Sequence, residues 1–239
     1  MRSRVLSELL AVVVPPVCAV CRTPLRDARR VLCGACEAAL PWLAGERCTR
    51  CALPLPCAPC PAADAAFGAA WAAMAHAGPA RSLVSALKYH GHTGVVAPMA
   101  EQMLRRAPAG LLADAALVPV PLHPARLLAR GFDQAELLAR RLSRLSGTPL
   151  QCPLRRSGVP TRQVGAGAAA RRADGRVRVR SIGPAPAVVV LVDDVHTTGA
   201  TLDACARALR LAGAQRVGCF TYARALANNG RTPERSLLS

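Results

Sequence analysis

Of the 31 cationic residues in this 239-residue chain only Lys88 is a lysine, and only 14 acidic residues oppose them. Aromatics make up 3% of the chain, so a core built on stacked rings is excluded. A core must instead be assembled from Ala, Leu and Val, in helices over a Val-rich sheet. Long apolar runs are also missing, and no stretch reaches the roughly 20 residues that cross a bilayer. The nearest approach, residues 5–14 behind Met1-Arg2-Ser3-Arg4, stops at Pro15-Pro16 without a small-x-small cleavage pattern. It reads as a short amphipathic helix rather than a secretory leader, and the expected location is cytoplasmic. The scarcity of lysine has the texture of a GC-rich coding habit, but the net charge of +17 does not follow from codon bias. An excess of that sign favours phosphate-bearing partners: nucleotides, pyrophosphates or nucleic acid.

Cysteine, by contrast, is abundant. Eight of eleven fall into four Cys-x-x-Cys pairs: Cys18/Cys21, Cys33/Cys36, Cys48/Cys51 and Cys57/Cys60. Such a knuckle points two thiolates at one ion, and four sulfurs close a tetrahedral zinc site with no open position for an activated water. Two structural zinc ions are expected, by consecutive or by interleaved pairing. A disulfide framework would need an oxidising compartment, and a redox pair would stand alone. Cys152, Cys205 and Cys219 are scattered and read as small apolar fillers. A double zinc ribbon is thus expected over residues 1–62, with a second domain over 63–239.

In that second domain strands and helices alternate. Strands are expected over 68–76, 116–120, 188–192 and 216–223, helices over 80–89, 95–106, 132–146 and 200–212, and an Arg/Gly-rich loop over 151–186. This βα alternation implies an α/β fold, a largely parallel sheet flanked by helices, with ligands at the carboxyl ends of the strands.

The strongest signal is the run Val188-Val189-Val190-Leu191-Val192-Asp193-Asp194-Val195-His196-Thr197-Thr198-Gly199-Ala200-Thr201. Five consecutive aliphatic residues make a strand buried on both faces. The loop of Thr197, Thr198, Gly199, Ala200 and Thr201 opens a helix, where free amides and threonine hydroxyls can wrap a phosphate. Adjacent carboxylates would repel an anion, so Asp193 and Asp194 suit the hydroxyls of a ribose. A second cluster, Pro119-Val120-Pro121-Leu122-His123 followed by Arg126 and Arg130-Gly131-Phe132-Asp133-Gln134, offers guanidinium forks to a pyrophosphate.

The acidic pair followed by Thr-Thr-Gly-x-Thr resembles the phosphoribosyl pyrophosphate motif of type I phosphoribosyltransferases. With the four cysteine pairs, Leu87-Lys88-Tyr89 and Thr161-x-Gln163, the order of motifs resembles the ComF family, a double zinc ribbon joined to a phosphoribosyltransferase domain. The chain departs from it at Asp133, where the family has Asn, and over residues 163–179. The resemblance implies a 5′-phosphate on residues 197–201, ribose hydroxyls on Asp193 and Asp194, pyrophosphate on His123, Arg126 and Arg130, and Mg²⁺ arriving with the ligand.

Three functions are open at this stage. One is transfer of phosphoribosyl groups to an unidentified acceptor, with residues 155–180 as a lid and Gly165 and Gly167 as its pivots. The second, implied by the resemblance, is a non-catalytic domain that binds single-stranded DNA during uptake and transformation and uses the phosphoribosyl pyrophosphate site as a ligand sensor. The third is an interaction protein whose ribbon docks a helicase or a membrane channel component of the DNA-uptake machinery. Charge is concentrated where these readings need it: residues 126–180 hold thirteen arginines against three acids, whereas residues 1–62 hold eight against four.

Overall fold

Strand β5 (Val188–His196) is the axis of the structure, a computed structural model that describes residues 16–157 and 177–226. Its aliphatic run alternates between two apolar layers: Val190 and Val192 enter one, Val189 and Leu191 the other. Around it lie β1 (Ala69–Ala75), β2 (Ala116–Pro119) and β6 (Arg216–Arg224), in the order β1-β6-β5-β2 with every pairing parallel. Register places Asp193 opposite Thr221, and His196 opposite Arg224, which is in turn opposite Ala75.

Helices α1 (Gly34–Ala38), α2 (Gly78–His90), α3 (Val96–Arg105), α4 (Pro124–Arg130), α5 (Gln134–Ser146) and α6 (Ala200–Leu211) complete the parallel-sheet architecture. α2, α3 and α5 bury Leu83, Leu87, Met99, Met103, Leu138 and Leu142 on one face, with Phe220 and Tyr222 of the sheet. α6 buries Leu202, Cys205 and Leu209 on the other. The amino-terminal segment straddles the edge strand β1. Cys18, Leu32 and Cys36 join the first layer, Leu43, Cys51 and Ala52 the second, and between them the Leu43 amide donates to the Ala73 carbonyl at 3.2 Å. An otherwise open sheet edge is thereby covered.

One helix and a pair of strands occur where the sequence reads as loop. α4 has no buried residue, so no apolar periodicity announces it. Within the expected loop 151–186, β3 (Leu154–Ser157) and β4 (Arg178–Ser181) pair antiparallel, held down by Leu154 and Val179. The ends of the expected lid 155–180 lie in β3 and β4, whereas Gly165 and Gly167, the Thr161-x-Gln163 segment of the resemblance and the amphipathic reading of residues 5–14 lie outside the described residues. Cys205 and Cys219 are buried fillers as expected, but Cys152 is exposed.

Candidate functional site

β5 carries the acidic pair to the carboxyl edge of the sheet. Asp194 is 2% exposed, and its Oδ2 lies 2.8 Å from Nζ of Lys88, which arrives from the last turn of α2. Asp193 is half-buried, and its Oδ1 accepts the Asp194 amide at 2.8 Å. Loss of hydration and the neighbouring Asp194 charge push the Asp193 carboxyl well above the ordinary carboxylate range, against the pull of Lys88. The two acids are therefore unequal: one is a buried, neutralised anchor, and the other keeps access to a ligand.

The loop after β5 leaves Thr197, Thr198 and Ala200 exposed, with Gly199 and Thr201 half-buried. Gly199 has φ +85° and is the N-cap of α6, so the cap residue brings no side chain to that helix end, where the Ala200 amide donates to Oγ1 of Thr198 at 3.4 Å. A Cβ on Gly199 would also meet Nε2 of His196 at 2.9 Å. His196 is 1% exposed and edge-on to Phe67, with ring centroids 6.1 Å apart. Burial and the Arg224 charge lower its pKa to about 4. It is a neutral support beneath the loop rather than a base presented to a ligand.

The second cluster is organised by Asp133. Its Oδ1 accepts the amides of Ala135 at 2.9 Å and Glu136 at 3.2 Å, capping α5, while Oδ2 accepts the Leu122 amide at 2.8 Å. Burial raises its pKa in spite of those three bonds. His123 caps α4, its Nδ1 accepting the Ala125 amide at 3.2 Å. Arg130 donates to Oε1 of Gln134 at 2.8 Å, and its guanidinium lies 5.5 Å from the Tyr89 ring centre. Because Tyr89 follows Lys88, the end of α2 touches both the acidic pair and the arginine turn. Burial, together with the charge of exposed Arg126, lowers the pKa of Arg156 on β3, against the pull of Asp193. Among the described residues neither Arg126 nor Arg130 is ion-paired with Asp193 or Asp194.

The eight cysteines form two groups, Cys18, Cys21, Cys33 and Cys36, and Cys48, Cys51, Cys57 and Cys60, with the sulfurs of each group within 4.8 Å of one another. Consecutive pairing is thereby selected over interleaving. Sulfur separations of 3.6 Å between Cys21 and Cys33 and 3.8 Å for both Cys48–Cys60 and Cys51–Cys57 are too long for disulfides, and all eight cysteines are free. Zn–S bonds of about 2.3 Å give a sulfur tetrahedron with edges of about 3.8 Å, so both groups fit zinc. Amides of Cys33 and Cys36 donate to the sulfurs of Cys18 and Cys33, each at 3.4 Å, as in a knuckle.

Three of these residues have roles that the sequence did not announce. Arg156 and Arg224 carry no motif. Lys88 did stand in the Leu87-Lys88-Tyr89 segment of the resemblance, but with no role attached to it.

Comparison with known proteins agrees with this division. Residues 9–66 match the double zinc ribbon domain, and residues 127–236 match the phosphoribosyl transferase domain. The DNA utilization protein YhgH of Salmonella typhimurium is 29% identical over 231 residues, spanning 89% of this chain and 99% of that protein. Competence protein F of Haemophilus influenzae is 36% identical over 115 residues, 46% of this chain and 50% of that one. The two domains in this order and these two relatives support the ComF family for this chain. The structure of an allosteric regulatory enzyme of purine biosynthesis is 20% identical with a TM-score of 0.35, covering 53% of this chain and about a quarter of that enzyme's length (26%). No helix among the described residues is long and apolar enough to cross a membrane.

Proposed function

We propose that this protein binds phosphoribosyl pyrophosphate with Mg²⁺ and serves the handling of incoming DNA in the cytoplasm. Two domains carry it, a zinc-loaded ribbon over residues 1–62 and the ligand-binding domain over 63–239. The observation that supports the ligand best is the end of β5: an acidic pair with one member neutralised by Lys88, then a loop entering α6 through a left-handed Gly199. In this reading Thr197, Thr198, Gly199, Ala200 and Thr201 hold the 5′-phosphate through amides and hydroxyls. Asp193 accepts from the ribose hydroxyls and Asp194, paired with Lys88, holds the end of β5 in place, while His123, Arg126 and Arg130 face the pyrophosphate. Arg156 joins them from the hairpin base. Mg²⁺ arrives on the pyrophosphate and offsets its charge.

The link to DNA comes from the relatives' names, DNA utilization protein and competence protein. Stacking of bases is poorly provided for: Tyr89, 72% exposed, is the one strongly exposed aromatic among the described residues. Trp71 lies under Arg47 at 3.7 Å, and Trp42 is flanked by Arg105 and Arg106. Any grip on single strands then rests on charge and falls steeply with salt. Titration with phosphoribosyl pyrophosphate and Mg²⁺, with and without single-stranded DNA, tests the reading. Binding lost in the Asp193→Asn/Asp194→Asn variant supports it, and wild-type protein that takes up no ligand ends it. Pyrophosphate release on adding nucleobases or amines would make the protein a transferase, whereas ligand uptake without release would leave it a sensor.

A further inference from the structure

Arg224 closes β6 and is 3% exposed, yet it carries a full positive charge. Its Nε donates to the carbonyl of Cys51 at 2.7 Å. Its Nη1 donates to the carbonyls of His196 at 2.8 Å, Ala225 at 2.9 Å and Thr197. One guanidinium therefore spans from the second cysteine group to the start of the phosphate loop. Strand register makes this reach possible, because Arg224 lies beside His196 of β5.

A cation taken out of water needs a counter-charge, since carbonyl dipoles offset only part of the lost hydration. Among the described residues no carboxylate is ion-paired with Arg224. Its bond to the Cys51 carbonyl places the guanidinium beside the second cysteine group, whose four sulfurs lie within 4.8 Å of one another. Four thiolates around one Zn²⁺ carry a net charge of −2, which is a counter-ion in the right place. The same region is strapped to α6 by other bonds. Oδ1 of Asp203 accepts the Ala66 amide at 2.7 Å, and Arg207 donates to the Asp64 carbonyl at 3.3 Å. Arg50 gathers the carbonyls of Ala62, Ala63 and Ala65 at 3.0 to 3.1 Å. The first cysteine group packs in the opposite layer, with α2 and α3.

We propose that Arg224 is a positioning residue that couples the second zinc site to the phosphate-binding loop, its charge balanced by the zinc-bound thiolates while its fork holds the carbonyls of His196 and Thr197. The loop's role as a ligand site rests on the function proposed above. Coupling of this kind is reciprocal: order in the zinc site steadies the loop, and a ligand on the loop steadies the zinc.

The test is zinc release from the full zinc-loaded chain into a zinc-selective chelator, read with a chromogenic dye. Alkylation of freed thiols and mass spectrometry assign each ion to its site. Arg224→Gln should speed release from Cys48, Cys51, Cys57 and Cys60 by about tenfold or more, in line with the loss of an outer-shell partner, and leave the first site unchanged. Arg224→Lys keeps the charge without the fork and should fall between. In wild-type protein, saturating phosphoribosyl pyrophosphate with Mg²⁺ should slow release from the second site alone. Equal release from both sites in the glutamine variant, or release at the wild-type rate, overturns the coupling. If that variant does not fold, the lysine variant and ligand protection of the wild type decide, and absence of both effects overturns it. If calorimetry detects no ligand binding to wild type, the proposed function fails, and site-selective zinc release in the variants still decides the role of Arg224.

Discussion

Nζ of Lys88 stands 2.8 Å from Oδ2 of Asp194 and so fastens the end of α2 to the end of β5. The lysine is 21% exposed and the carboxylate 2%, so the two partners are not interchangeable. Lys88→Met strands a buried anion and should destabilise the protein by about 3 kcal/mol. Asp194→Asn leaves a lysine that can still reach water and should cost less. The double variant should cost less than the two singles combined, with a coupling of about 1 kcal/mol or more. Urea denaturation of the four proteins reads this directly, and strictly additive costs would show that the pair does not stabilise the fold.

Zinc content is the second expectation. Two ions per chain should be found by elemental analysis, falling to one when Cys18 is replaced by Ser and the first site is broken. Cys205→Ala and Cys219→Ala should retain both ions. These two thiols are buried, and burial raises their pKa far beyond the ordinary cysteine range, so they offer no thiolate to a metal. Fewer than two ions in freshly purified wild-type protein would contradict the paired tetrahedra.

The axis of the fold was legible because residues 188–192 are all aliphatic, a pattern that only a strand covered on both faces needs. The strand-to-helix turn at residues 197–201 was legible because its signal is local, five consecutive small residues directly after the strand. α4 was not, because an exposed helix leaves no apolar period, and its Leu128 is in fact 89% exposed. The β3/β4 hairpin was hidden because its anchoring apolar residues, Leu154 and Val179, stand among arginines and far apart in sequence. Lys88, Arg156 and Arg224 act through contacts between distant segments, and no spacing rule reports those. Cysteine pairing lay between these cases: local spacing identified the ligands, and only the fold chose their partners.

His196 supplies a pH dependence of definite sign. Its folded pKa of about 4 lies below the ordinary value of 6.5, because burial and Arg224 disfavour the imidazolium. The unfolded chain therefore binds the proton more readily, and stability falls as pH drops from 6.5 toward 4. That shift corresponds to at most about 3 kcal/mol across the window. His196→Gln removes the titrating group, so its urea midpoint should change less than the wild type's between pH 7 and pH 5. An equally steep acid loss in the variant would assign the effect to the carboxylates instead.

Gly199 is under two separate demands, and they can be measured apart. Its φ of +85° strains any residue with a Cβ, and that Cβ would lie 2.9 Å from Nε2 of His196. Gly199→Ala should therefore combine left-handed strain of about 1 kcal/mol with the further cost of moving a buried imidazole that Phe67 and the Arg224-bound carbonyls hold in place. Placing the same change in a His196→Ala background removes the contact and leaves the backbone strain. The added cost of Gly199→Ala should thus be smaller there, and affinity for ribose 5-phosphate should fall in the single variant more than thermal stability alone would suggest. An identical stability cost in both backgrounds would mean that the loop moves freely away from His196, and the imidazole would then have no part in setting the shape of the phosphate loop.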